Sequence, residues 1–450
     1  MEKVVLKRNL TLFSLVIFGL ATMAPGTVFA TFGIASQVTL GKVPGAYILA
    51  AFALAFTAYS YGQMVKAFPI AGSAYTYVQR SFNPNIGFLI GWAILTDYLL
   101  LPMVNALIFS IFFSSMFPSV PSYFWILFLI AATTVVNIIG TKLVGRLNSL
   151  FMGYTIIIIF LFCVLSIKSV IAGSGTATIF SSLPFYNPEH SFSYLLAGAS
   201  LLCFSFIGFD SITALAEESI NAQKNIPKAI FIILFIGAFI FITVSYIASR
   251  VHPDYTTFEN LDSATLEIAQ LIGGNIFASL FLAVTLVGTF SSGLSAQASV
   301  SRVLYAMGRD SMLPKKSFGY LHPRFKTPTF NIILVGIISL LALAFSLTLA
   351  TSLINFGALI AFLFVNLSVI SHYFIKQKNY SFKGIVLYLI MPLVGASFIV
   401  WLLSGLSKYA IIFGSCWTLL GIIYLVYLVK VAGLKTIDIQ FEEEKENVKN

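Results

Sequence analysis

The stretch LTLFSLVIFGLATMAPGTVFATFGIAS, Leu10 to Ser36, decides how the rest of the chain is read. It exceeds the roughly 20 apolar residues that carry a helix across a bilayer. Yet Ala24-Pro25-Gly26-Thr27 falls near its middle. Proline removes a backbone donor and clashes with the preceding turn, and glycine lowers the cost of non-helical torsions, so the helix is expected to give way there. A simple proline kink and a true interruption both fit this stretch taken alone. The interruption has the larger consequence, because freed N–H and C=O groups survive at membrane depth only where protein or a wet cavity satisfies them. Carriers use such groups to hold an ion or a carboxylate.

Composition sets the class. Hydrophobic residues make up 58% of the 450 and charged residues 9%, with a mean hydropathy of +0.95, against about 25% charged in soluble domains. The expected fold is an all-α polytopic membrane protein in a lipid bilayer. Cys163, Cys203 and Cys416 lie in apolar runs without paired spacing, so no disulfide framework and no metal site is expected. The net charge of +10 comes from short segments between apolar runs rather than from a basic stripe, which argues against nucleic acid as a partner. The first apolar run is too long for a cleavable signal. No nucleotide-binding loop, catalytic triad or metal-ligand spacing occurs, so neither an enzyme, a resident cofactor nor a pump with its own nucleotide domain is expected.

Apolar runs long enough to span fall near 10–36, 43–66, 83–113, 123–141, 147–171, 192–215, 227–250, 274–300, 329–348, 351–375, 384–404 and 409–430, twelve in all. With the N-terminus in the cytoplasm, 22 of the 26 lysines and arginines fall on the inner side, and only Lys42, Lys168, Arg250 and Lys408 fall outside. The positive-inside rule therefore puts both termini in the cytoplasm of a cell-membrane protein. The loop Val251 to Gly273 carries Asp254, Glu259, Asp262 and Glu267 on the outer side. Gln63 to Arg80 reads as an inner loop that turns back at Pro69 and Gly72, and Ser301 to Pro328 as another, with a short amphipathic helix around Val303 to Met307. The glutamate-rich end after Lys430 reads as a solvated tail.

Span six repeats the oddity of span one: its apolar run is interrupted at Ser205-Phe206-Ile207-Gly208, and Asp210 follows. Two interrupted spans separated by five elements point to two five-helix inverted repeats with a site at their interface. The expected organisation is residues 1–9 as a cytoplasmic N-terminus, 10–171 and 172–375 as the repeats, 376–430 as two further spans and 431–450 as a cytoplasmic tail. Only Asp97 and Asp210 lie well inside spans. Placing a carboxylate there costs roughly 3 kcal/mol, so each needs a partner or a task. For Asp210 a substrate-amine or proton site and a clamp for the unwound segment both stay open. Asp97 reads as a member of a buried network, and Tyr98 either closes over a substrate or packs. In span eight, Thr289-Phe290-Ser291-Ser292-Gly293 sets adjacent hydroxyls on the helix. They bond the preceding turn or, with carbonyls freed by span one, complete an oxygen cage for a small hard cation.

Five longer stretches carry a resemblance: FPIAGSAYTYVQRSFNPNIGFLIGW (Phe68–Trp92), CFSFIGFDSITALAEES (Cys203–Ser219), KNIPKAI (Lys224–Ile230), SRVLYAMGRDSMLPKKSFGYLHPRFKTP (Ser301–Pro328) and LINFGALIAFLFVNLSVISHYF (Leu353–Phe374). They resemble the amino acid/polyamine/organocation superfamily of secondary transporters over nearly the whole chain, and are most similar to the bacterial putrescine importers as a group. The resemblance implies a five-plus-five inverted repeat, alternating access around broken spans one and six, and substrate contacts at Pro25, Gly26, Thr27, Tyr98, Phe206, Ile207, Gly208 and Asp210. Two departures qualify the transfer. Ala30 stands where putrescine importers have an aspartate, and Gly26 is a glycine they lack, as in amino acid permeases that let a substrate carboxylate approach the backbone. Thr155 stands where many of those permeases carry a lysine in span five, so Thr155, Ser291 and Ser292 become candidate sodium ligands, with Asp210 as the candidate proton carrier. The expected function is secondary active import of a small amino-bearing solute, an amino acid or putrescine, with a proton or Na+ as coupling ion. An exchanger of such solutes is the alternative. A transport-dead nutrient sensor fits less well, because the roughly twenty residues after Lys430 are too few to fold alone. An ion channel would show a repeated filter motif.

Overall fold

A computed structural model describes residues 10–70, 73–139, 141–173, 175–176, 178–186, 191–309, 313–323, 325 and 327–430. The expectations placed on residues 1–9, on Gly72 and on the tail 431–450 lie outside them. Among the described residues there is no strand, only one parallel bridge between Leu10 and Ser219.

Thr11 caps the first helix, α1 (Leu12–Met23), by accepting Ser14 N–H on its hydroxyl at 3.3 Å. The helix ends on Ala24, which takes the left-handed conformation at φ 50°. Pro25 has no N–H to give to Ala21 O, so the ladder cannot continue. The chain restarts as α2 (Thr27–Val38), with Thr27 N–H on Ala24 O at 2.8 Å, and the two halves are bent by 43°. The interruption reading of span one is the correct one.

There follow α3 (Val43–Ala67), the short α4 (Ser73–Ser81), α5 (Pro84–Met116), α6 (Ser122–Ile139), α7 (Thr141–Ile171) and α8 (Ser193–Phe206). After α8 come Ile207, Gly208 at φ 114° and a tight 3-10 turn, Ser211–Glu218, in place of a second α-helical half. The remainder is α9 (Ala222–Val251), α10 (Ala264–Arg309), α11 (Lys315–Phe318), α12 (Thr329–Ser339), α13 (Leu347–Val369), α14 (Phe382–Ile385), α15 (Met391–Ser404) and α16 (Lys408–Lys430). Among the described residues ten helical runs are long and apolar enough to cross a membrane, the bent α1–α2 pair forms an eleventh span, and Thr329–Leu343 is a shorter apolar one. These are the twelve spans of the sequence, in order.

Some boundaries differ from expectation, though span eight begins where expected: Gly274, at φ 63° and ψ −168°, is not helical and kinks the chain between a short helical stretch from Ala264 and the long one that runs to Arg309. The same helix absorbs Val303–Met307, which is therefore its last turns and not a separate amphipathic helix. Span ten begins at Leu347, where the Ser346 hydroxyl accepts Leu349 N–H at 3.3 Å.

Polar ties between spans fix the frame. Asn355 Nδ2 donates to Ser200 O and Leu201 O at 2.9 and 3.0 Å, pinning α8 to α13. Trp92 and Trp417 donate their indole N–H groups to each other's backbone carbonyls at 2.9 and 2.8 Å, with rings stacked 4.9 Å apart, and so clasp α16 to α5. The segment before α10 lies on α2: Thr265 Oγ1 donates to Phe29 O at 2.8 Å, and the missing side chain of Gly33 admits Leu261 O. Burial in that seat pushes the Asp262 carboxyl up from its ordinary range. Asp254, exposed and accepting from Thr256 Oγ1 at 2.6 Å, is held below it.

Candidate functional site

The span-six interruption lies against the end of α1. A Cβ on Gly208 would stand 2.8 Å from Met23 N and 2.9 Å from Thr22 C, so only glycine lets span six approach the end of α1 this closely. Its positive φ requires glycine as well. Gly19, one turn earlier on α1, packs against Ile212 and Ile233.

On the other side of span one lies a small cavity lined by Ala21 and Ala24 to Thr27, by Asn105 and Ile108 of α5, by Met152 and Thr155 of α7, and by Gly288, Thr289 and Ser291 of α10. A Cβ on Gly26 would meet nothing within 4 Å. Thr27 Oγ1 is buried without a hydrogen-bond partner, and no acceptor among the described residues takes Gly26 N–H. Thr155 Oγ1 donates to Phe151 O at 2.9 Å, which leaves its lone pairs as an acceptor. Toward the α2 side the cavity ends at three packed rings, Phe29 with Phe162 at 5.1 Å and with Phe281 at 4.7 Å. The lining holds no ionisable side chain. It is apolar with a few convergent hydroxyl, amide and backbone groups, which is the usual make-up of a small-molecule pocket.

The structure divides the residues singled out in the sequence. Pro25, Gly26, Thr27, Thr155 and Ser291 come together at the cavity. Tyr98, Phe206, Ile207, Gly208, Asp210 and Ser292 do not line it. Ser292 is turned about 100° from Ser291 around α10 and falls outside the lining. Asp210 lies instead in a buried polar group on the far side of the span-six break, where Tyr61 Oη donates to its Oδ2 at 3.4 Å. Asp97, Tyr77 and Tyr98 are close enough to feel its charge. Its side chain makes no cap on the following turn, and Thr213 Oγ1 donates back to its carbonyl at 2.7 Å. Asp97 Oδ1, Thr96 Oγ1, Ser73 Oγ and Tyr77 Oη are buried there without partners.

Asn105 and Gly288 escaped the sequence reading. The signal for Asn105 was present, as a polar residue in an otherwise apolar span. Its Nδ2 donates to Leu101 O at 2.9 Å, so the amide oxygen is the atom left over.

A chain of twelve spans with a cavity at the break of the first is, in class, a solute carrier rather than an enzyme. It belongs to the amino acid permease family, whose model matches residues 14–440. It is 42% identical over 430 residues to the low-affinity putrescine importer of Escherichia coli K12, covering 95% of each chain. It is 27% identical over 440 residues to a branched-chain amino acid permease of Lactococcus lactis, covering 91% of this chain and 92% of that one. A methylthioribose transporter of Bacillus subtilis is 25% identical over 446 residues, with 94% of each covered.

Proposed function

We propose that this permease imports a small amino-bearing solute across the cytoplasmic membrane by ion-coupled symport, with both termini in the cytoplasm and residues 10–171 and 172–375 acting as inverted repeats. The observation that carries the reading is the open space at Gly26, flanked by the unpartnered Thr27 hydroxyl and facing an uncharged cavity. Backbone N–H groups where a helix restarts favour an anionic group such as a carboxylate, and the freed Ala21 carbonyl favours an ammonium. An amino acid carries both. Putrescine is the second reading, favoured by the similarity to the Escherichia coli importer.

For the coupling ion a proton carried by Asp210 is preferred: the carboxyl is buried, bonded to a tyrosine and without a basic partner among the described residues. Thr155 and Ser291, with span-one carbonyls, are the rival sodium ligands. The test is uptake in proteoliposomes of putrescine and branched-chain amino acids under a pH gradient in sodium-free buffer, compared with a sodium gradient at equal pH. Uptake driven by the pH gradient and lost in Asp210→Asn supports the reading. Uptake driven only by sodium and lost in Thr155→Val plus Ser291→Ala moves the coupling to the cage, and uptake that needs internal solute makes the protein an exchanger.

A further inference from the structure

We propose that Tyr47 couples the two breaks as the centre of a directed hydroxyl chain. Its phenolic oxygen lies 3.1 Å from Thr31 Oγ1 on α2 and 3.1 Å from Ser205 Oγ on α8, and its side chain is wholly buried. Thr31 Oγ1 lies 3.0 Å from Thr27 O. Counting protons fixes the direction. A carbonyl only accepts, so the single Thr31 hydroxyl proton goes to Thr27 O, and Thr31 must accept from Tyr47. Tyr47 then has no proton left and accepts from Ser205. The chain runs Ser205 to Tyr47 to Thr31 to Thr27 O, from the last turn before the span-six break to the residue that opens α2 onto the cavity.

The ring has no freedom to let go. It is stacked on Phe241 at 5.2 Å and 25°, and meets the edge of Phe206 at 6.1 Å. In a dry interior, neighbouring hydrogen bonds polarise one another, and a broken link leaves a buried hydroxyl unpaired. Tyr47 is therefore a positioning residue: the start of α2 and the end of α8 hold or release together, although Gly208 meets α1 and not α2. Its effect on uptake rests on the carrier reading above; the coupling of the two segments does not.

Tyr47→Phe keeps the ring and its stacking while removing both links. In the full chain in lipid nanodiscs without solute, hydrogen–deuterium exchange should rise in peptides 24–31 and 202–209 together, by roughly threefold to tenfold for links of ordinary strength. Thr31→Val, which touches only α2, should raise exchange at 202–209 as well, and Ser205→Ala should raise it at 24–31. Local effects only, or no change in Tyr47→Phe, overturn the chain. With a solute that the wild type imports, Tyr47→Phe should raise KM about fivefold with the turnover rate kept; a lowered rate at unchanged KM overturns the positioning role. If the wild type imports no member of the panel, the functional reading fails and the exchange measurement alone decides on Tyr47.

Discussion

At Gly26 an added methyl group would meet nothing within 4 Å, whereas at Gly208 it would press against the backbone of Thr22 and Met23. The two glycines mark the two broken spans, and they serve opposite ends. Gly26 keeps space free for an occupant, with Thr27 left unpartnered beside it. Gly208 removes space so that the unwound segment of span six can lie against the end of α1. Break one is the presenting surface and break six is its support. The sequence motifs look alike because a glycine in an interrupted apolar run reads the same whether its missing side chain makes room for solute or for backbone.

The largest effect is expected at the support. Gly208→Ala must hold an alanine at φ 114° and push it into Met23, which costs about 3 kcal/mol in strain and overpacking together. Thermal unfolding in detergent should show a strongly lowered midpoint and poor recovery of folded protein. An unchanged midpoint would erase the contrast between the breaks. At the presenting surface the pattern reverses: Gly26→Leu should unfold at the wild-type temperature while uptake falls more than about tenfold, the equivalent of losing one and a half kilocalories of binding. Normal uptake by that variant would move the solute away from break one.

The smallest effect concerns the segment seated on α2. Burial raises the Asp262 carboxyl in the seated form, so the seat is favoured while that group is protonated and weakens as pH rises from the ordinary carboxylate range through the raised value. Asp262 is half-buried, so screening keeps the change below about twofold. Exchange of peptides 258–266 should therefore increase slightly across that window in the wild type. In Asp262→Asn the increase should vanish, and its persistence would assign it to another group.

The fold was legible because it rests on run length and on proline and glycine, both of which act locally. Span ends were less so: Ser346 caps α13 through one side-chain bond, and α10 runs on to Arg309 through residues that read as a loop. The site was half legible. Pro25, Gly26 and Thr27 declare themselves by breaking a helix, but nothing along the chain tells which way Asp210 faces. That depends on Tyr61, 149 positions away. Asn105 was visible as a polar residue in an apolar span, yet only the packing against α10 through Gly293 aims it at the cavity.

The indole clasp between α5 and α16 has a practical consequence for anyone watching this protein with light. Of four tryptophans, Trp92 and Trp417 form the clasp, Trp125 stacks on Phe113 at 4.2 Å and Trp401 on Phe192 at 5.7 Å, and none borders the cavity. Native emission therefore comes from indoles set away from the cavity, two of the four in one stacked pair. With Trp125→Phe and Trp401→Phe in place, the remaining emission reports on the α5–α16 joint alone. A reporter of occupancy has to be installed, for instance Ile108→Trp on the cavity wall, against a background where Trp417→Phe has silenced one member of the pair.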